Sequence, residues 1–366
     1  MHLPSVRSAL LVWFERAARA LPWRATRDPY AIWVSEVMLQ QTRVDAVVPY
    51  YLRFLARFPS TEALARATED EVMAAFSGLG YYRRARLLHA GVREVVARYG
   101  GQVPSDASAR RALPGIGRYT AGAIGSIAFD LPEPIVDGNV ARVLCRLLAL
   151  DQAPEDRARQ ALLWQTAEAL AQGPRPGALN QALMELGATV CTKHAPSCER
   201  CPIAKHCAAK AQGRTEELPR ARTRKPPRPT KLVALLACTR DGALWLQRGE
   251  RGLFAGLWNL PLADGHGRAV AAALREQLGI GGRLAAKSSG GIEHVLTHRR
   301  LDVELWSVSA ANAQPTETLR AVVADALDEL GVSRLTHKAL AQALPQAALD
   351  TAPSPRHRAR TNRSAR

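Results

Sequence analysis

Long apolar runs are missing from this chain of 366 residues. Nothing in it approaches the roughly 20 consecutive apolar residues that a membrane-crossing helix requires, so spanning helices are excluded. The N-terminal Leu10-Leu11-Val12-Trp13-Phe14 is cut short by Glu15 and Arg16, and no small-residue cleavage site follows. It reads as an amphipathic helix and not as a signal peptide. Cysteine is sparse, at six residues, and without a secretory signal these are expected to be reduced or metal-bound instead of paired. Acid is in deficit, with 33 Asp and Glu against 50 Lys and Arg, for a net charge of +17. That imbalance points to a polyanionic partner: DNA, RNA or an anionic membrane surface. Some of the excess is terminal, since residues 356–366 carry five Arg and no acid. No fixed-period repeat is present, and an apolar content of 47% excludes wholesale disorder.

What is present concentrates between Leu113 and Val140. Leu113-Pro114-Gly115-Ile116-Gly117 is a turn whose glycines can take left-handed dihedrals and aim successive backbone N–H groups at an anion. A run of small residues, Thr120 to Ser126, follows, and then Asp137-Gly138-Asn139 at the expected start of a new helix. A phosphate cradle at Gly115, Gly117 and Arg118 thus precedes a carboxylate at a helix N-terminus.

Residues 1–213 read as successive helices. Asp28-Pro29 is a helix start, and the segment Tyr30–Gln41 is apolar on nearly all sides with Glu36 in its middle. Thr42 is placed to cap a second helix running to Phe58. Amphipathic runs at 61–76, 82–99, 105–112, 118–130, 139–150, 155–172 and 177–190 complete an all-α domain. Residues 214–231 are rich in Pro and Arg and read as an extended linker. From 232 to 345 the pattern changes to strands, with helices expected at 268–278 and near 316–330, giving a small α+β domain. Residues 346–366 are a basic tail expected to be disordered when free.

Cys191, Cys198, Cys201 and Cys207 are separated by six, two and five residues. Four thiols so close in a reducing compartment call for a metal, and tetrahedral zinc or a 4Fe–4S cluster both suit them. The unequal spacings and the lack of a ribbon pattern favour the cluster.

Acid/base chemistry on a nucleic acid calls for one carboxyl kept neutral and another kept ionised, which their environments can separate. Glu36, mid-helix among Trp33, Val37 and Leu39, has the apolar setting that raises a pKa. Asp137 beside free N–H groups has the setting that lowers one. Glu36 is therefore read as the acid/base, and Asp137 as the anion that would steady a developing positive charge or form a covalent intermediate.

These motifs, with Leu21-Pro22-Trp23-Arg24 and Ser35–Thr42, closely resemble adenine DNA glycosylases, the MutY family of the helix–hairpin–helix superfamily that includes endonuclease III. The likeness is dense over 10–210 and looser over 231–345. It implies a multidomain enzyme: a helix–hairpin–helix glycosylase domain with an iron–sulfur loop holding one 4Fe–4S cluster, plus a Nudix-like C-terminal domain. The implied activity is base excision repair, with adenine removed opposite 8-oxoguanine or guanine in double-stranded DNA. It implies protonation of adenine at N7 by Glu36, with Tyr119 and Asn139 flanking the sugar. Where relatives resembling endonuclease III carry a Schiff-base lysine, Tyr119 stands here; a phenol forms no imine, so little lyase activity is expected.

By the same likeness Gln41 and Tyr81 fill the gap left by the extruded base. Arg24, Leu39, Glu185 and Trp23 line the adenine pocket. The Nudix-like segment Arg275-Glu276-Gln277-Leu278-Gly279 lacks the paired glutamates that hold Mg²⁺, so diphosphate hydrolysis is not expected. His294-Val295-Leu296-Thr297-His298 resembles the lesion-recognition loop, with Leu296 and Thr297 in place of the more usual Phe and Ser. No nucleotide cofactor and no membrane partner are expected. The protein is expected to be monomeric, cytoplasmic and nucleoid-associated, with room for other repair or replication proteins as partners. The alternatives are a thymine–DNA or bifunctional glycosylase, and a non-catalytic cluster-bearing DNA-binding protein.

Overall fold

The computed structural model describes residues 2–221, 226–250 and 252–343; the basic tail expected over 346–366 lies outside them. The chain divides into two compact units, Met1–Lys225 and Pro226–Arg366. Among the described residues no helix is long and apolar enough to cross a membrane.

The first unit is helical: α1 (Leu3–Ala17), α2 (Pro29–Leu39), α3 (Val44–Arg57), α4 (Thr61–Arg66), α5 (Glu69–Ala75), α6 (Arg83–Tyr99), α7 (Ala107–Ala112), α8 (Arg118–Phe129), α9 (Gly138–Leu147), α10 (Arg157–Ala171), α11 (Pro176–Thr189) and the short α12 (Ala208–Ala211). Helix α2 starts where Asp28 accepts from the N–H groups of Tyr30 and Ala31, with Pro29 in the first turn. Its residues Tyr30 to Met38 are buried on every side. The run at 61–76 is two helices because Thr68 caps the second one, exchanging bonds with Glu71 in a capping box. Thr42 does not cap α3. Arg43 occupies that position without a side-chain bond, and the Thr42 hydroxyl instead accepts from Arg84 at 3.2 Å.

Helix α9 buries Val140, Val143, Leu144 and Leu147, a spacing that gives one apolar stripe, and α2 packs on α8 while α11 packs on both α8 and α9. Gly187 in α11 permits this approach, since a Cβ there would lie 2.7 Å from Asn139 Cβ.

Within the 214–231 stretch, residues 214–220 pack on the first unit. Leu218 is buried and its carbonyl accepts from Arg146 at 2.8 Å, while Arg214 and Arg220 both pair with Asp151, at 2.9 and 2.6 Å. Residues from Arg228 onward already belong to a strand. A single apolar anchor among Pro and Arg is what the compositional reading overlooks.

The second unit has β1 (Arg228–Ala237), β2 (Leu244–Arg248), β3 (Trp258–Asn259), β4 (Leu262–Asp264), α13 (Arg268–Gln277), β5 (Arg283–Leu284), β6 (Gly290–Val295), β7 (Arg299–Ser309), β8 (Leu319–Val322) and α14 (Arg334–Ala343). One sheet runs β4-β1-β7-β5 with β6 also on β7, and a second runs β3-β2-β8. Strand β1 lies parallel to β7 and is covered on both faces. Leu232, Ala234 and Leu236 enter the core shared with the second sheet and α14, and Val233 and Leu235 enter the core beside α13. That explains its unbroken apolar sequence. The helix expected near 316–330 is replaced by β8 and a 3₁₀ turn at Ala324–Glu329. Leu319 and Val322 point inward, and pairing with β2 satisfies the backbone there.

Candidate active site

Helix α2 delivers Glu36 to the interior, helix α8 delivers Tyr119, and the N-terminus of α9 delivers Asp137 and Asn139. The Tyr119 hydroxyl donates to Glu36 Oε2 at 2.6 Å and sits 3.4 Å from Met184 Sδ on α11. Asp137 caps α9: its Oδ1 accepts from the Val140 N–H at 2.7 Å, and its Oδ2 from the Asn139 amide at 3.2 Å. Four residues from three separate stretches of chain thus form one constellation.

Burial, opposed by the Tyr119 hydrogen bond and helped by the charge of Asp137, pushes the Glu36 carboxyl up to about 7. Burial also holds Tyr119 well above its ordinary value of 10.0, so it stays a phenol. Asp137 departs from the sequence expectation: burial, the largest influence, raises it above its ordinary 3.8. The N–H groups of Val140 and Asn139, the charge of Arg142 and the Asn139 amide pull it back. A helix N-terminus alone predicts a lowered value; the desolvation that outweighs it is not visible in sequence. The two acids remain distinct by their surroundings. Asp137 faces three N–H donors and a guanidinium, whereas Glu36 has one phenol for a hydrogen-bond partner and an anion nearby, surroundings that favour the charged form at Asp137 and the neutral one at Glu36.

Asn139 is itself fixed. Its Oδ1 accepts from Arg142 Nη2 at 2.8 Å, and Arg142 also donates to the carbonyls of Gly187 at 2.6 Å and Cys191 at 2.8 Å. One turn on, buried Arg146 reaches Cys191 Sγ at 3.3 Å and the carbonyl of Thr192 at 2.6 Å. Helix α9 therefore ties Asp137 to the cysteine loop. Neither arginine is singled out by the sequence reading; the signal available is their four-residue spacing after Asp137.

Cys191, Cys198, Cys201 and Cys207 line one cavity, with Arg146 and Lys210 at its wall. Among the described residues no three His, Cys, Asp or Glu side chains converge tightly enough for a single metal ion. The four thiols share the lining of that one cavity. Burial, with a smaller contribution from the other three thiols and against the Ile203 N–H, pushes Cys201 up to about 11, so neighbouring thiolates need positive charge among them.

Around the acids, Glu185 on α11 is fully enclosed and both its oxygens are engaged. Arg19 meets it through Nε at 2.7 Å and Nη2 at 2.8 Å, and Arg24 through Nη2 at 2.8 Å. This holds its carboxyl down at about 2 against the cost of burial. Trp23 is buried edge-on to Tyr51, with centroids 5.4 Å apart, and Leu39 is half-buried at the end of α2.

Gln41 and Tyr81 are exposed in two separate loops, at φ of 58° and 51°. That left-handed geometry costs an L-residue roughly 1–2 kcal/mol. Arg84, absent from the sequence reading, joins the two loops. It shares one buried face of α6 with Leu88, Val92 and Val95, and that periodicity was the available signal.

At the hairpin between α7 and α8, Gly115 is left-handed at φ 78° and a Cβ there would meet Leu87 Cβ at 2.8 Å. Gly117 is not left-handed as expected but extended, at φ −85° and ψ 179°, capping α8. No atom lies within 4 Å of a Cβ built on it, so its backbone is open to a ligand. The exposed Arg118 stacks on Trp164, its guanidinium carbon 3.8 Å from the ring centroid.

In the second unit Leu296, Thr297 and His298 form the turn between β6 and β7, closed by Leu296 N–H on the Arg299 carbonyl at 2.8 Å. Arg228 at the start of β1 donates its N–H to the His298 carbonyl at 3.0 Å. Thr297 and His298 are exposed, while Leu296 is half-buried against the core. The α13 segment bears Glu276 without a second glutamate beside it.

Residues 34–169 match the family of HhH-GPD superfamily base excision DNA repair proteins, and residues 232–342 match the NUDIX domain. The adenine DNA glycosylase of Rattus norvegicus is 38% identical over 85% of this chain and 72% of its own length. That of Homo sapiens is 36% identical over 87% and 69%, and that of Buchnera aphidicola subsp. Acyrthosiphon pisum is 34% identical over 69% and 72%. Among solved structures, a thermostable thymine-DNA glycosylase is 29% identical, matching 57% of this chain and 97% of that one with a TM-score of 0.52. With identity of this extent across both units, the chain belongs to the adenine DNA glycosylase family of base excision repair enzymes.

Proposed function

We propose that this glycosylase hydrolyses the N-glycosidic bond of adenine mispaired with 8-oxoguanine or guanine in duplex DNA. The observation that carries the reading is the Tyr119–Glu36 hydrogen bond beside Asp137. With Oε2 occupied by the phenol, Glu36 holds its proton on Oε1 and delivers it to N7 of an extruded adenine. The C1′–N9 bond then breaks, the electron pair leaving with a neutral base. Asp137 stays ionised, steadies the positive sugar through charge or a transient ester, and Asn139 orients it. Glu36, now ionised, removes a proton from the incoming water. Tyr119 offers no amine for an imine, which supports a monofunctional enzyme with little lyase activity.

Gly115, Gly117 and Arg118 would hold a phosphate near the target, and Arg24, Trp23, Leu39 and Glu185 would frame the base. Leu296, Thr297 and His298 would read the oxidised guanine on the other strand, and the lone Glu276 leaves no diphosphate chemistry to the Nudix-like domain. Cys191, Cys198, Cys201 and Cys207 would hold one 4Fe–4S cluster per chain, and it would stiffen the loop that α9 leans on. The working enzyme would be a monomer on nucleoid DNA, built as a 1–213 catalytic domain, a linker within 214–231 and a 232–345 recognition domain.

Single-turnover assays on duplexes bearing A·8-oxoguanine, A·G and T·G pairs test the reading. Excision of adenine alone is expected, with no borohydride-trapped adduct. Asp137→Asn should abolish excision while duplex binding persists. Equal loss of binding would make Asp137 a structural cap and overturn the mechanism.

A further inference from the structure

We infer that Arg84 clamps the Gln41 and Tyr81 loops into one rigid wedge, making it a positioning residue for base extrusion. The inference rests on the role that the family likeness gives Gln41 and Tyr81, filling the gap left by the extruded base. Helix α2 ends at Leu39 with no basic residue in its last turn and no backbone bond at its C-cap, Gln40. Thr42 supplies its N–H to the Leu39 carbonyl at 3.3 Å and its hydroxyl to the Gln40 carbonyl at 3.4 Å, which leaves those of Val37 and Met38 without a backbone partner among the described residues. Arg84, from another helix, supplies the donors: Nη1 reaches the carbonyls of Val37 at 2.8 Å and Met38 at 3.0 Å, and also that of Gln40. Nη2 reaches Thr42 Oγ1 at 3.2 Å and the Gly80 carbonyl at 3.1 Å, and Nε reaches the Tyr81 carbonyl at 3.4 Å.

All three guanidinium nitrogens are thus spent across two loops that are some forty residues apart in sequence. The acceptors are carbonyls and one hydroxyl, with no carboxylate among them, although the group is buried. Desolvation accordingly lowers Arg84 to about 10. A buried cation with no carboxylate partner among the described residues is a costly way to fill a core. The planar fork is what makes it useful, because it can hold several acceptors from both loops at fixed angles. The Tyr81 loop is braced further: the Gly78 N–H donates to Tyr82 Oη at 3.1 Å. The guanidinium carbon also lies 5.5 Å from the Tyr81 ring centroid. Pushing side chains into a base stack loads these loops, and an unbraced loop would yield before the stack did.

The test uses full-length Arg84→Lys and Arg84→Met proteins. Extrusion is followed by 2-aminopurine fluorescence at the target position opposite 8-oxoguanine, alongside single-turnover excision and duplex affinity. Both variants should lose about tenfold or more in excision, with reduced extrusion amplitude, while affinity changes less than threefold. Mismatches flanking the target pair, which make extrusion easier, should restore most of the rate. A loss of the same size on both duplexes would mean that Arg84 only supports the fold, and the clamp would be wrong. If Arg84→Met does not fold, Arg84→Lys with amide hydrogen exchange decides. Exchange must quicken together at 40–42 and 78–82, and quickening in one loop alone refutes the clamp. Gln41→Ala and Tyr81→Ala separate the two claims. If neither impairs extrusion, the wedge reading itself fails. If they do and the Arg84 variants do not, only the clamp fails.

Discussion

The pH dependence of adenine excision follows from the position of Glu36. The acid that starts the reaction must be protonated, and burial has moved its carboxyl from an ordinary 4.5 to about 7. At pH 7 about half of the enzyme then carries the proton, against roughly 0.3% for an unperturbed glutamate, a gain of about 160-fold in competent enzyme. The active form is the protonated one, so the rate is full below this value and is lost as pH rises through it. Between pH 6 and pH 9 the single-turnover rate should fall roughly ninetyfold, one power of ten per pH unit at the alkaline end.

Asp137 must be ionised, and because burial raises it above 3.8 the acid limb should begin above the usual aspartate range. The profile is a bell whose two midpoints belong to the coupled pair. The assay is alkaline scission of the abasic product after rapid mixing with excess enzyme at constant ionic strength. A rate that stays flat from pH 6 to 9 would refute the argument. So would a Glu36→Gln protein whose residual rate keeps the same alkaline limb.

The same displacement couples Glu36 to stability. Its contribution is fully present below pH 4.5 and is lost, to the extent of about 3 kcal/mol, as pH rises through about 7. Glu36→Gln should therefore match wild type in urea unfolding at pH 4 and exceed it at pH 8.5. Tyr119→Phe removes the hydroxyl that lowers Glu36, so the alkaline limb should shift to higher pH; an unshifted limb would mean the phenol does not touch the acid. Glu185→Gln leaves Arg19 and Arg24 without their anion, and should cost about 3 kcal/mol in urea unfolding, the low end for a broken buried pair, because the Arg19 side chain is 38% exposed. Metal analysis of purified protein should find about four irons and four sulfides per chain, falling in Cys201→Ser; zinc alone would remove the cluster from the account.

Much of the first unit is legible because its signals are local. Asp28-Pro29, the Gly115 turn and the stripe of α9 each declare themselves within a few residues. The gathering of Glu36, Tyr119 and Asp137 is legible only through the likeness to a family, since nothing local says that residues so far apart meet. Three features stay hidden for physical reasons. Asp137 is raised because neighbours distant in sequence exclude water from it. Arg84 looks like one member of a solvated Arg83-Arg84-Arg86 run until α6 is docked and its buried face defined. Leu218 and β8 take their structure from the partners they pack on, Arg146 and β2, and tertiary contacts there override composition.

The central claim is that Glu36 waits as a neutral acid while Asp137 waits as an anion. Infrared difference spectra between wild type and Glu36→Gln, recorded across the pH range, read the first half of it without DNA or turnover. A protonated carboxyl band assigned to Glu36 is predicted at pH 6, half-converted to carboxylate near pH 7. A Glu36 carboxylate band already complete at pH 5.5 would contradict the account.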